Sequence, residues 1–185
     1  MNTRTHAHNA GFTLVEILIV VVILGILSAI VIPQFTSASE SAKASAMTTQ
    51  LQTIRSQLEL YRVQHNGYPD LNATDGWKRL TQKTTAAGNL TAGEGESLDY
   101  GPYLQKAPVN PFASSSTIGS ATVDGTTGEI TSSGAAAGVG WVYDQDSGAI
   151  KASVDLTVAR NASLLGDNDT NSADIETYTT TTSSD

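Results

Sequence analysis

Two groups of charged residues in this 185-residue chain stand where charge could do chemistry. The first is a single carboxylate, Glu16, inside a predominantly apolar run from Phe12 to Ile32. A carboxylate alone in hydrocarbon costs about 2.5–3.5 kcal/mol at mid-membrane on the gentlest scale, and less near a helix start. Glu16 therefore calls for a cation. A free amine at Phe12, made by cutting the chain after Gly11, would supply one. The second group lies near the C-terminus, in Leu165-Gly166-Asp167-Asn168-Asp169-Thr170-Asn171-Ser172-Ala173-Asp174-Ile175. Oxygen side chains at alternate positions can wrap a hard cation such as calcium. The EF-hand spacing matches only at Asp167, Asp169 and Asn171. Ser172 stands where that loop needs Gly and Tyr178 where it needs a bidentate Glu, so this is not an EF-hand. A solvated turn is the other reading, because Asn and Asp favour turns in any case.

Other chemistry is poorly provided for. The chain has no cysteine, which excludes disulfides, thiolate metal sites and a cysteine nucleophile. His6 and His8 precede Gly11, and a leader that is discarded is the better account of them than a metal site. Only His65 then remains, at the expected end of a helix. The serines sit in low-complexity stretches with no nearby base, and no glycine-rich pattern cradles a phosphate. Asp144 and Asp146 could mimic paired carboxylates, but a turn suits them better. An enzyme is not expected. The formal net charge of −8 argues against nucleic acid as the default partner, since phosphate contacts rest on Lys and Arg.

The elements that must position these groups follow from patterning. Phe12 to Ile32 is long and apolar enough to cross a bilayer as a helix, which takes about 20 residues. Beyond Pro33, Met47, Leu51, Ile54, Leu58 and Tyr61 are spaced four, three, four, three and draw one apolar stripe. Lys43, Gln50, Gln57 and Arg62 fall off it and should meet solvent or another subunit. One helix is thus expected from Phe12 to about Gln64, stopped by Asn66-Gly67 with Gly taking the left-handed conformation. Gly25 and Pro33 weaken it, and Pro33 should kink it. From Tyr68 the composition turns to Gly, Ser, Thr and Asn. Asp75 to Thr81 allows one or two helical turns with Trp77 and Leu80 inward, and Tyr100 to Phe112 is a proline-punctuated loop whose aromatics cap a core. Val139–Tyr143 and Ala149–Val154 flank Asp144–Gly148 as the best hairpin, and Ala121–Val123 and Glu129–Thr131 make a smaller one. An antiparallel sheet laid on the Met47-to-Tyr61 stripe would bury both apolar faces.

Gly11-Phe12-Thr13-Leu14-Val15-Glu16, behind a short polar leader, resembles the processing site of type IV pilins and of the pseudopilins of type II secretion. The proline-punctuated Gly101-Pro102-Tyr103-Leu104 segment is similar to that of the G-type major pseudopilin. The resemblance implies an α+β pilin fold, a long N-terminal helix packed on a small antiparallel sheet. It also implies a division into a cleaved leader (1–11), a membrane and filament-core half-helix (12–33), an amphipathic half-helix (34–66), a globular domain (67–178) and a disordered tail (179–185). A prepilin peptidase/methyltransferase would cut after Gly11 and methylate Phe12, and Glu16 would pair with the terminal amine of a neighbouring copy. Gly25 and Pro33 fall where that family carries a helix-weakening pair, which implies either a simple bend or local unwinding in the filament. Calcium in the Asp-rich loop, with Asp167, Asp169 and Asp174 as ligands, is implied as well, although Tyr178 replaces the family's tryptophan. The partners implied are further copies of the chain, the lipid bilayer, an inner-membrane assembly platform and minor pseudopilins. The chain would cross the inner membrane once, with its C-terminal domain periplasmic or extracellular. A pilin for adhesion, motility or DNA uptake, and an anchored periplasmic binding domain that never polymerises, are the alternatives.

Overall fold

A computed structural model describes residues 12–73, 75–124, 130–131, 135–166, 169, 172 and 174–179. The leader with Gly11, the turn of the smaller hairpin, Asp167 and most of the tail therefore lie outside the described residues. The chain divides into two compact units, Met1–Ser39 and Glu40–Asp185.

A single helix, α1, runs unbroken from Leu14 to His65. In the first unit its large apolar side chains, from Phe12 to Ile32 and Phe35, are all exposed. This stretch is rich in Ile and Val, residues that in water would favour strands. In hydrocarbon every backbone amide must be satisfied within the segment, and a helix does this. It is the one helix among the described residues long and apolar enough to cross a membrane. The helix passes through Gly25 and Pro33 unbroken.

In the second unit the apolar stripe lands where its spacing directs it. Met47, Leu51, Ile54, Leu58 and Tyr61 are all buried. Each of the aliphatic ones contributes about 2–3 kcal/mol through burial. Gln50 departs from expectation: it is half-buried and its Oε1 is enclosed without a partner among the described residues. The domain covers more of the helix than the apolar stripe alone marks out. The left-handed residue that ends α1 is Asn66 (φ 57°), not Gly67. Asn tolerates that conformation through its short polar side chain.

Among the described residues, the rest of the unit is a short helix, α2 (Lys78–Thr81), six strands and a third helix. The strands are β1 (Ile118–Ser120), β2 (Thr122–Val123), β3 (Ile130–Thr131), β4 (Trp141–Tyr143), β5 (Ile150–Asp155) and β6 (Ile175–Tyr178). The helix α3 (Leu156–Asn161) follows β5 directly, capped by Asp155, whose carboxylate accepts from the amides of Thr157 and Val158. The main sheet runs in the order β1-β4-β5-β6. The patterning predicts an antiparallel sheet, but the sheet is mixed: β4–β5 is the antiparallel hairpin, while β1 joins β4 and β6 joins β5 in parallel. Both parallel strands reach the sheet by long connections that no hairpin signal announces. β2 and β3 pair antiparallel as a separate ribbon.

β5 is buried on both faces. Ile150, Ala152 and Val154 join the α1 stripe, Trp141, Tyr143 and Ile175 in the main core. On the other face of the sheet Val142 packs with Ala121, which precedes β2, and with Ile130 of β3. The proline-punctuated loop caps the main core with Tyr103, Leu104 and Phe112. A hydrogen bond from a buried side chain holds it there, Trp141 Nε1 donating to the Pro108 carbonyl at 3.0 Å, while Tyr143 OH donates to the Pro69 carbonyl at 2.9 Å and holds the segment after α1. Burial pushes the Tyr143 phenol far above its ordinary range, so it stays a donor. Gly148 closes the β4–β5 turn at φ +72°, with a Cβ there only 2.3 Å from the Tyr68 ring, so glycine is required twice over.

Candidate functional site

The N-terminal site is built from two side chains one helical turn apart. Thr13 Oγ1 accepts from the Glu16 amide at 3.2 Å, and the Glu16 carboxylate reaches back to the Thr13 amide at 2.8 Å. Thr13 Oγ1 also donates to the same Glu16 Oε2, at 2.8 Å. This is a reciprocal capping box, with Thr13 as N-cap and Glu16 at the third helical position. It satisfies amides that the start of any helix leaves open, and it sets a negative charge at the positive end of the helix dipole. α1 accordingly starts at Leu14 rather than at Phe12.

The carboxylate is therefore not bare in the isolated chain. Its Oε2 carries both bonds from Thr13, and no described residue donates to Oε1. One oxygen is anchored and the other is open to a cation. Phe12 is exposed beside it, as are Leu14, Ile17 and Leu18. Thr13 is the residue that attention to charge alone passes over, and its signal is the Thr-x-x-Glu spacing before an apolar run. Thr13→Ala is expected to loosen the helix start by about 1 kcal/mol. Amide exchange at residues 14–17 in micelles should quicken about fivefold, with Thr13→Ser restoring protection.

The remaining sequence-marked residues are dispersed. Gly25 is exposed on α1, and a Cβ placed there would meet nothing within 4 Å. His65 is enclosed by Tyr61, Tyr100 and Tyr103, with Nδ1 3.0 Å from the Ala86 carbonyl and Nε2 2.9 Å from Tyr103 OH. It ties the end of α1 to the loop. Asp144 is buried and accepts from the Ser147 amide within the β4–β5 turn, while Asp146 is exposed; each is a turn residue.

Of the Asp-rich segment, Asp169 and Asp174 are the acidic residues described. Asp167 lies outside the described residues. Asp169 is exposed, its amide donating to the Gly166 carbonyl. Asp174 Oδ1 accepts from Arg55 Nη1 at 2.8 Å. Among the described residues, no three or more His, Cys, Asp or Glu side chains gather as metal ligands would. The second residue that sequence reasoning missed is therefore Arg55, on the flank of the α1 stripe.

An apolar α1 with a capped carboxylate in its first turn, followed by a small sheet on its amphipathic part, defines the pilin class of protein. Residues 6–32 match the prokaryotic N-terminal methylation motif, and residues 34–147 match the family described as type II secretion system protein G. The chain belongs to the type II secretion system protein G family. It is 37% identical over 103 residues to the type II secretion system core protein G of Pseudomonas aeruginosa, covering 56% of this chain and 68% of that one. It is 32% identical over 103 residues to the core protein G of Aeromonas hydrophila, covering 56% and 67%. The core protein G of Escherichia coli K12 is 29% identical over 105 residues, covering 55% and 66%. No solved structure matches the chain.

Proposed function

We propose that this chain is the major structural subunit of a pilus-like filament of a type II secretion system. The observation that carries the reading is the family match across residues 34–147, joined to the methylation motif across residues 6–32 on a helix whose apolar side chains are uncovered. The match over the folded domain also favours a secretion role over that of an adhesive or DNA-uptake pilin. A prepilin peptidase cuts after Gly11 and methylates Phe12. The apolar part of α1 then holds the subunit in the inner membrane, with the domain on the periplasmic side, until it passes into the filament.

Glu16 directs that passage. Thr13 holds Oε2, which leaves Oε1 to take the ammonium at Phe12 of a neighbouring copy. A buried charge that has lost its partner costs more than a matched pair, so axial register follows from satisfying it. Gly25 has space for a side chain in the isolated chain, so its use lies in backbone freedom. We assign Gly25 and Pro33 to the segment where the helix yields when subunits pack. The role is structural: Glu16 binds a cation and transforms nothing. The assembly platform and minor pseudopilins are the further partners this role requires.

Mass spectrometry of the protein purified from cells tests the reading. A mature chain starting at N-methylated Phe12 is the expected result, and a chain that retains Met1 in cells with an active peptidase would overturn it.

A further inference from the structure

Strand β6 is fastened to the domain by two charge pairs, Arg55–Asp174 and Lys151–Glu176. Arg55 projects from α1 with its planar guanidinium divided between two elements. Nη1 donates to Asp174 Oδ1 at 2.8 Å, and Nη2 donates to the Ile150 carbonyl at 2.9 Å. One side chain thus joins the helix, the first residue of β5 and the residue that precedes β6. Beside it, Lys151 Nζ lies 3.4 Å from Glu176 Oε2, and both side chains are almost wholly removed from water, at 11% and 6% exposure. Backbone bonds complete the fastening: the Ala152 amide donates to the Asp174 carbonyl at 2.9 Å, and the Ser172 amide to the Ile175 carbonyl at 3.1 Å.

We propose that Arg55 supplies the positive charge which orders the C-terminal strand, so that β6 docks without a divalent cation. The carboxylate best placed to serve a metal near this strand, Asp174, is already paired with a guanidinium. A calcium ion sharing it would stand next to a like charge, the Arg55 guanidinium. Arginine suits the task because its fork presents two parallel donors in a fixed plane. A lysine at this place would reach one acceptor and leave the other. Calcium held by Asp167, Asp169 and Asp174 is the rival reading, and the two differ in what a chelator does.

The test is hydrogen exchange of the peptide covering Ile175–Tyr178 in the full chain in micelles, with calcium chloride or with excess chelator. Wild-type protection should agree within about twofold between the two conditions, while Arg55→Gln should lose about tenfold in both, as expected when a charge-assisted bond pair is removed. Arg55→Lys should lose nearly as much. Should Arg55→Gln fail to fold, Asp174→Asn serves as the second variant and should show the same loss irrespective of calcium. The proposal is overturned if the chelator alone strips wild-type β6 of protection by tenfold or more, or if neither variant changes it.

Discussion

Glu16→Gln is expected to abolish filaments while leaving cleavage after Gly11 and methylation of Phe12 intact. Glutamine is the informative replacement because it can still accept at the third position of a capping box. The helix start should therefore survive, and only the charge is lost. In the isolated chain the carboxylate is half-satisfied by Thr13, so nothing in the membrane-inserted monomer demands the negative charge. In the proposed filament the demand would arise between copies, where an ammonium would otherwise be buried without its counter-ion at a cost of several kcal/mol. Every joint in the fibre repeats that cost. Fibres sheared from cells and counted by electron microscopy should fall at least tenfold. Mass spectrometry of the same cells should still find methylated Phe12 as the first residue. Normal fibres from the Gln variant would remove Glu16 from the assembly scheme.

The largest effect on the folded domain should come from Asn110→Ala. Asn110 is fully buried under the sheet and uses both ends of its amide. Nδ2 donates to the Gly140 carbonyl at 2.7 Å and to the Ser153 carbonyl at 2.9 Å, and Oδ1 accepts from the Phe112 amide at 2.9 Å. Its backbone amide also donates to the Ser115 carbonyl. Truncation removes the side-chain bonds together and leaves their buried partners unpaired. A cost of about 2–4 kcal/mol is expected, from roughly 1 kcal/mol for each bond lost and more where a group is left unpaired. The thermal midpoint should fall by roughly 5–15 °C. Asn110→Asp, which keeps the acceptor and loses the donors, should be no better. A drop of less than one degree would mean that the loop is held by its aromatics alone.

How much of this was legible depended on how local the signal is. The run from Phe12 to Ile32 and the stripe from Met47 to Tyr61 repeat one instruction over many residues, and the structure follows both. The β4–β5 hairpin was equally plain, because its turn and strands are contiguous. β1 and β6 were not legible. Each has three or four residues, and each chooses its neighbour in parallel across a long connection, so its pairing is written in distant contacts. Arg55 was passed over for a related reason. Nothing near it in sequence identifies Asp174 as its mate. Thr13 is the opposite case: its spacing to Glu16 is short and readable, yet the charge three residues on draws the eye away from it.

One feature of the sheet bears on how the molecule is made. β5 lies between a strand that precedes it and one that follows nearly twenty residues later, among the last the structure describes. Until Ile175 to Tyr178 are in place, the hydrogen-bonding edge of β5 that β6 covers is open and the Lys151 ammonium lacks the Glu176 carboxylate. The sheet is therefore completed by residues made well after β5. A chain ended by a stop codon before Ile175 should be degraded faster in cells than the longer chain, as a pulse-chase would show.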